Sequence, residues 1–75
     1  SYIDFSNLEV VRLQRAILTL PIKQQVTFNL RYYDELNYDD IAEATGSTSS
    51  SAKVNYHIAK EKIIKYINSN ENNYE

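Results

Sequence analysis

Residues 46–51 read GSTSSS, and whether they form a loose connector or the hinge of a folded unit decides what the chain can be. Runs of Gly and Ser usually make flexible linkers. Here the only glycine, Gly46, stands where one helical pattern stops and another begins. A break at Gly46 would leave residues 1–45 and 47–75, pieces of 45 and 29 residues, whereas domains without metals or disulfides become viable at roughly 40 to 60 residues. A chain of this length buries about 60% of its unfolded surface, enough for one core. The stretch is therefore expected to lie inside a single domain spanning 1–75, ordered over about 6–67, with the polar 68–75 (NSNENNYE) as a disordered tail.

On the N-terminal side of this stretch, Asn37 is placed to cap a short third helix, with Asp39 and Asp40 in the first turn, where the helix dipole favours acids. Ile41 and Ala42 are its expected inward residues, and Gly46 can take the left-handed conformation that closes it. On the C-terminal side, Thr48 is placed to cap a fourth helix. Ala52, Tyr56, Ala59, Ile63 and Tyr66 or Ile67 form its inward stripe, at spacings of four and three.

Further upstream, Ser6-Asn7-Leu8-Glu9 has the form of a capping box. A first helix is expected from there to about Thr19, with Val10, Leu13, Ile17 and Leu20 inward and Leu8, Val11 and Leu18 widening the face. Pro21 ends it and suits the first turn of the next helix, where its missing N–H costs nothing. That second helix is expected over 21–34, with the stripe Ile22, Val26, Leu30 and Tyr33 and with Phe28 beside it. Tyr33, Tyr56 and Tyr66 are read as core residues, whereas Tyr2 and Tyr74 stand near the ends. The pattern is all-α, a four-helix helix-turn-helix domain without a wing: a short helix, a Gly-containing bend and a second helix that opens on small hydroxyl residues.

Composition narrows the function classes. The chain is 43% hydrophobic and 24% charged and has no Cys, Met or Trp, so neither disulfides nor thiolate metal sites are available. No apolar run approaches the roughly 18 residues of a membrane span, and no signal-peptide pattern is present. A cytoplasmic domain is expected, and without an initiating Met the chain reads as a segment of a longer protein. His57 is the only histidine, and a metal site would need several carboxylates around it. No nucleophile, base and orienting acid stand at recognisable spacing, and no Gly-rich loop cradles phosphate, so neither enzymatic activity nor a cofactor is expected.

The net charge of −2 is unevenly distributed. Asp34, Glu35, Asp39, Asp40 and Glu43 fall in 34–45 with no base, whereas Lys53, Lys60, Lys62 and Lys65 face Glu61 alone over 46–67. Small residues at the start of the fourth helix suit an end that enters the DNA major groove, where free amides and hydroxyls meet phosphates or base edges. Thr48, Ser49, Ser50, Ser51, Lys53, Val54, Asn55 and His57 are the candidate DNA contacts on this helix. Taken alone, the first four read equally well as a cap and a solvated turn, and Lys60, Lys62 and Lys65 as a solvated face.

The run Ala16-Ile17-Leu18-Thr19-Leu20-Pro21, then Phe28-x-Leu30-Arg31-Tyr32, then Leu36-Asn37-Tyr38-Asp39-Asp40-Ile41-Ala42-Glu43-x-x-Gly46, then Lys53 and Tyr56-His57-x-Ala59 resembles region 4 of the extracytoplasmic-function (ECF) sigma factors. In that family ALxxLP, FxLRY, LSYEEIAExLG and VKxxLHRA follow in this order and at this spacing. The resemblance covers about residues 8–67. It implies the C-terminal domain of a bacterial sigma factor, which docks on core RNA polymerase and reads the −35 promoter element through its last helix. Arg31 and Tyr38 would then lie near the DNA-facing side, and an anti-sigma factor is a further potential partner. Where the family often carries Arg this chain has Gln25, Asn55 and Ile58, and where it often carries Leu this chain has Thr45.

Two other readings stay open. One is the helix-turn-helix output domain of another transcription regulator, which usually binds as a dimer, whereas a sigma domain is expected to be monomeric in isolation. The other is a protein-docking module for polymerase or an anti-sigma factor, with DNA contact secondary.

Overall fold

Pro21 and Gly46 divide the chain much as their chemistry predicts. The computed structural model describes residues 5–72, which form α1 (Phe5–Leu18), α2 (Ile22–Tyr32), α3 (Tyr38–Thr45) and α4 (Ser49–Asn72). No strand occurs among the described residues, so the domain is all-α and carries no wing there. The carbonyls at the end of α1 are satisfied locally. Thr19 N–H and Oγ1 both donate to the Ala16 carbonyl, at 3.1 and 2.6 Å, and Leu20 N–H donates to that of Ile17 at 3.0 Å. The Gln25 side-chain amide also donates to the Ile17 carbonyl at 3.0 Å, tying α2 to the end of α1. Pro21 takes the N-cap of α2, with φ −54° and ψ 147°, one position before the first turn.

Helices α2 and α4 each touch all three others, and α4 makes the more extensive packing of the two. Ala16, Ile17 and Leu20 from the first segment and Phe28 from α2 close over Ala59 and Ile63, with Leu13, Tyr56, Tyr66 and Ile67 packed around them. The inward stripe of α4 is thus as the sequence predicts. Ile41, Ala42 and Ala52 are also buried, in α3 and in the first turns of α4.

Other expected faces are corrected. In α2, Ile22 is 72% exposed and Val26 and Tyr33 also face solvent, whereas Thr27 and Phe28 are buried at 1% and 2%. Tyr33, the residue after α2, meets Tyr32 edge-on at a centroid distance of 5.0 Å instead of entering the core. The inward face of α2 is rotated because the helix must satisfy α1, α3 and α4 together, and a mixed polar–apolar face does that where the most apolar line does not. In α1, Val10, Val11 and Leu18 are exposed, while Ala16, outside the expected stripe, is fully buried. The small side chain lets another helix approach, which a count of large apolar residues does not register.

The ends differ as well. Helix α1 is already under way at Phe5, so Ser6 is an interior position and not the cap of a capping box. Helix α4 continues to Asn72, so 68–72 of the expected tail lie within its bounds, past residue 67 where the helical signal was read to end. Tyr2, Tyr74 and the last residues of the expected tail, 73–75, lie outside the described residues, as does the side chain of Leu8.

Two residues occupy the left-handed region, Gly46 at φ 66° and Glu35 at φ 56°. Glycine takes this conformation freely, whereas a residue with a Cβ is strained in it. A Cβ added at Gly46 would meet nothing within 4 Å, so Gly46→Ala should cost only the conformational penalty, about 1 kcal/mol. Glu35→Gly should relieve the corresponding strain and raise stability by about 0.5 kcal/mol once the entropy of the added glycine is offset. Denaturant melts with unchanged m-values check both, and a gain at Gly46 or a loss at Glu35 would contradict the account.

Candidate nucleic-acid interface

The candidate interface is built from α3, the bend that follows it and the first turns of α4. Asn37 begins it: its Oδ1 accepts the Asp40 N–H at 2.9 Å, capping α3. Asp39 and Asp40 sit in the first turn, as the helix dipole favours. At the other end, Gly46 N–H donates to the Ala42 carbonyl, and Ser47 N–H donates to the same oxygen at 2.9 Å. Thr45 Oγ1 donates to the Ile41 carbonyl at 2.8 Å and lies 2.8 Å from Ser47 Oγ. The bend is hydrogen-bonded through its backbone and side chains, unlike a flexible linker.

Thr48 then starts α4. Its Oγ1 accepts the Ser51 N–H at 3.1 Å and its carbonyl accepts the Ala52 N–H at 2.8 Å. Thr48 is therefore a structural N-cap, and its exposed position leaves it beside any ligand of this helix end. Ser49 is half-buried and its hydroxyl donates to the Asp39 carboxylate, joining the first turns of α3 and α4.

Ser50, Lys53, Val54 and His57 are all exposed, and their spacing of three, four and seven places them along one outward face, opposite Ala52, Tyr56 and Ala59. Ser51 is exposed and Asn55 half-buried; both lie off the centre of that face. The fold thus brings four of the predicted contacts together and places Thr48, Ser49, Ser51 and Asn55 at the end and flanks.

Arg31 and Tyr38 form a separate cluster. The Arg31 guanidinium carbon lies 4.9 Å from the centroid of the Tyr38 ring, and Nη1 donates to the Leu36 carbonyl at 2.9 Å. Arg31 therefore fastens the connection between α2 and α3, a role that spacing alone did not disclose. Tyr38 in turn tilts against Tyr56 at 6.3 Å, and Tyr56 stacks on Phe28 at 5.6 Å. Lys60 covers the Tyr56 ring with its ammonium 5.0 Å from the centroid, so this cation packs against an aromatic side chain. Burial, and then repulsion from Tyr38, pushes the Tyr56 phenol above the usual 10.0, against the pull of Arg31. Among the described residues no group of three His, Cys, Asp or Glu side chains is placed to hold a metal ion.

A capped short helix, a left-handed glycine bend and a second helix with an exposed polar first turn define a helix-turn-helix. The family model described as sigma-70, region 4 matches residues 11–63, from the second turn of α1 through most of the buried stripe of α4. The chain belongs to that family. Comparisons with curated proteins and with solved structures give no match.

Two predictions follow from the Arg31–Tyr38–Tyr56 cluster. Arg31→Lys keeps the charge but loses the planar fork, and it should cost about 1 kcal/mol in a denaturant melt; an unchanged midpoint would show that the contact to Leu36 holds nothing. The raised Tyr56 phenol keeps its proton in the folded chain at a pH where the unfolded chain has lost it. Its contribution to stability is therefore complete below about pH 10 and is lost as pH rises through the folded value. In an absorbance titration of tyrosinate, the step removed by Tyr56→Phe should fall above the free-tyrosine range.

Proposed function

We propose that this chain is the promoter-reading C-terminal domain of an ECF-type bacterial sigma factor, with the start of α4 entering the major groove at the −35 element. The observation that carries the reading is the outward face formed by Ser50, Lys53, Val54 and His57 at the open end of a capped helix-turn-helix. Small polar groups there suit base edges, Val54 suits a thymine methyl, and Lys53 lies within reach of phosphate. Thr48, Ser49, Ser51 and Asn55 border the contact, with Tyr38 and Arg31 supporting it from α3 and α2. The chemistry is recognition and not catalysis, and it requires no cofactor.

An isolated domain with a net charge of −2 is suited to weak intrinsic binding. Tethering to core RNA polymerase raises the effective concentration of DNA at the site, so the domain need not hold a promoter by itself. Gln25, at a position where relatives often carry Arg, is engaged with the Ile17 carbonyl, and Asn55 and Ile58 are half-buried. Recognition in this chain therefore leans on small polar contacts and less on cations. Such a domain would act in the cytoplasm, and no helix among the described residues is long and apolar enough to cross a membrane.

Protein docking is a second reading, favoured by exposed apolar side chains. Leu18 and Ile22 are 73% and 72% exposed, and an open groove of about 440 Å³ runs beside Leu18, Ile17 and Tyr33. This surface suits polymerase or an anti-sigma factor and is compatible with DNA reading by α4.

The test is an NMR titration of the isotope-labelled chain with duplex DNA at low salt, repeated with Lys53→Glu. Amide shifts should concentrate at 47–57 and be largely lost in the variant, and loss of one phosphate contact should lower the salt slope by about 0.9. Shifts spread evenly and indifferent to the substitution would overturn the DNA reading and favour docking, to be tested with a polymerase fragment.

A further inference from the structure

Asp39 stands in the first turn of α3, and its carboxylate accepts the hydroxyl proton of Ser49 at the start of α4. A serine hydroxyl has one hydrogen to donate and two lone pairs with which to accept. With the hydrogen directed at Asp39, Ser49 can offer a ligand only its lone pairs. A free serine reads either donors or acceptors on base edges. One held in this way can accept from the exocyclic amines of cytosine or adenine, and it offers no donor to guanine, to thymine O4 or to a phosphate.

The same carboxylate places a negative charge beside the N-terminal pole of α4. Thr48 covers the amides of Ser51 and Ala52, leaving those of Ser49 and Ser50 as the members of this turn that Thr48 does not satisfy. Such amides, together with the helix dipole, attract phosphate regardless of base sequence. A fixed carboxylate at this end opposes that attraction.

We propose that Asp39 is a positioning residue that sets the selectivity of α4: it restricts Ser49 to accepting from base amines and suppresses sequence-independent phosphate binding. The proposal rests on the DNA reading above and adds to it a residue that makes no base contact of its own. Capping of α3 does not depend on it, because that bond runs from Asp40 N–H to Asn37.

The test uses the 75-residue chain with Asp39→Asn, Asp39→Ala and Ser49→Ala, each selected against a duplex library with a randomised centre and then titrated at low and high salt. Asp39→Asn removes the charge but keeps an acceptor for Ser49. It should tighten binding to selected and random duplexes alike, about three- to tenfold at low salt, with the gain fading at high salt. Asp39→Ala should show the same tightening and also lose the preference for cytosine or adenine at one position, the position relaxed by Ser49→Ala. A role confined to stability would change the melting temperature and leave base preference and salt slope unmoved. Circular dichroism melts establish that each variant is folded, and Asp39→Asn carries the charge test even if Asp39→Ala does not fold. If the unsubstituted chain binds selectively and the Asp39 variants match it in affinity, salt slope and preference, this inference is overturned and the DNA reading stands. No binding by the unsubstituted chain at low salt, where even weak phosphate-assisted contacts persist, overturns both.

Discussion

The buried alanines Ala42 in α3 and Ala52 in α4, with Ile41 beside them, allow the two helices to approach closely, and the rest of the structure depends on that approach. Larger side chains at these positions would force the helices apart. Only a bend of fixed geometry can deliver the second helix to that position, and Gly46 supplies it, with two amides converging on the Ala42 carbonyl. The crossing fixes where the first turn of α4 lies, and therefore which side chains share a face. It also brings Asp39 to Ser49, a contact between residues ten apart in sequence.

This unit was legible in the sequence because its signals are local. Asn37 and Thr48 cap through atoms within three residues of themselves, and Gly46 is defined by its own backbone. The stripe of α4 was legible for a different reason: its inward side chains Ala52, Tyr56, Ala59 and Ile63 recur at one helical spacing over several turns, and all of them turn to the interior. The face of α2 was not, since Ile22 and Val26 are apolar yet exposed while Thr27 is buried. There the orientation is set by the joint demands of three neighbours, which no periodicity within the helix encodes. The end of α4 was also hidden, because polar residues at 68–72 carry no sign that a helix already nucleated upstream continues through them.

Within the candidate site, the outward face formed by Ser50, Lys53, Val54 and His57 could be drawn from helical spacing alone, and the structure leaves all four exposed. What spacing could not supply was the division of labour among polar groups. Arg31 and Lys60 each pack against a tyrosine ring, and Gln25 ties two helices together. A formal charge count treats every cation as available to phosphate. The folded chain commits two of them to aromatic faces, where an attraction of roughly 0.5–1 kcal/mol competes with the pull of a ligand.

The acids of the α3 segment follow the same logic. An acidic run beside a helix proposed to read DNA looks counterproductive, since each carboxylate repels phosphate. In this fold the acids serve nearer needs: Asp39 and Asp40 occupy the N-terminal turn of α3, where its dipole stabilises them, and Asp39 also reaches Ser49. A domain that had to find and hold DNA unaided would be poorly served by this arrangement. A domain carried to DNA by a larger assembly gains from it, because proximity raises occupancy at every sequence alike and discrimination must come from the contacts. The exposed apolar residues Leu18 and Ile22 fit the division that the proposed function draws, in which the outer faces of α1 and α2 serve attachment and the opening turns of α4 serve sequence reading.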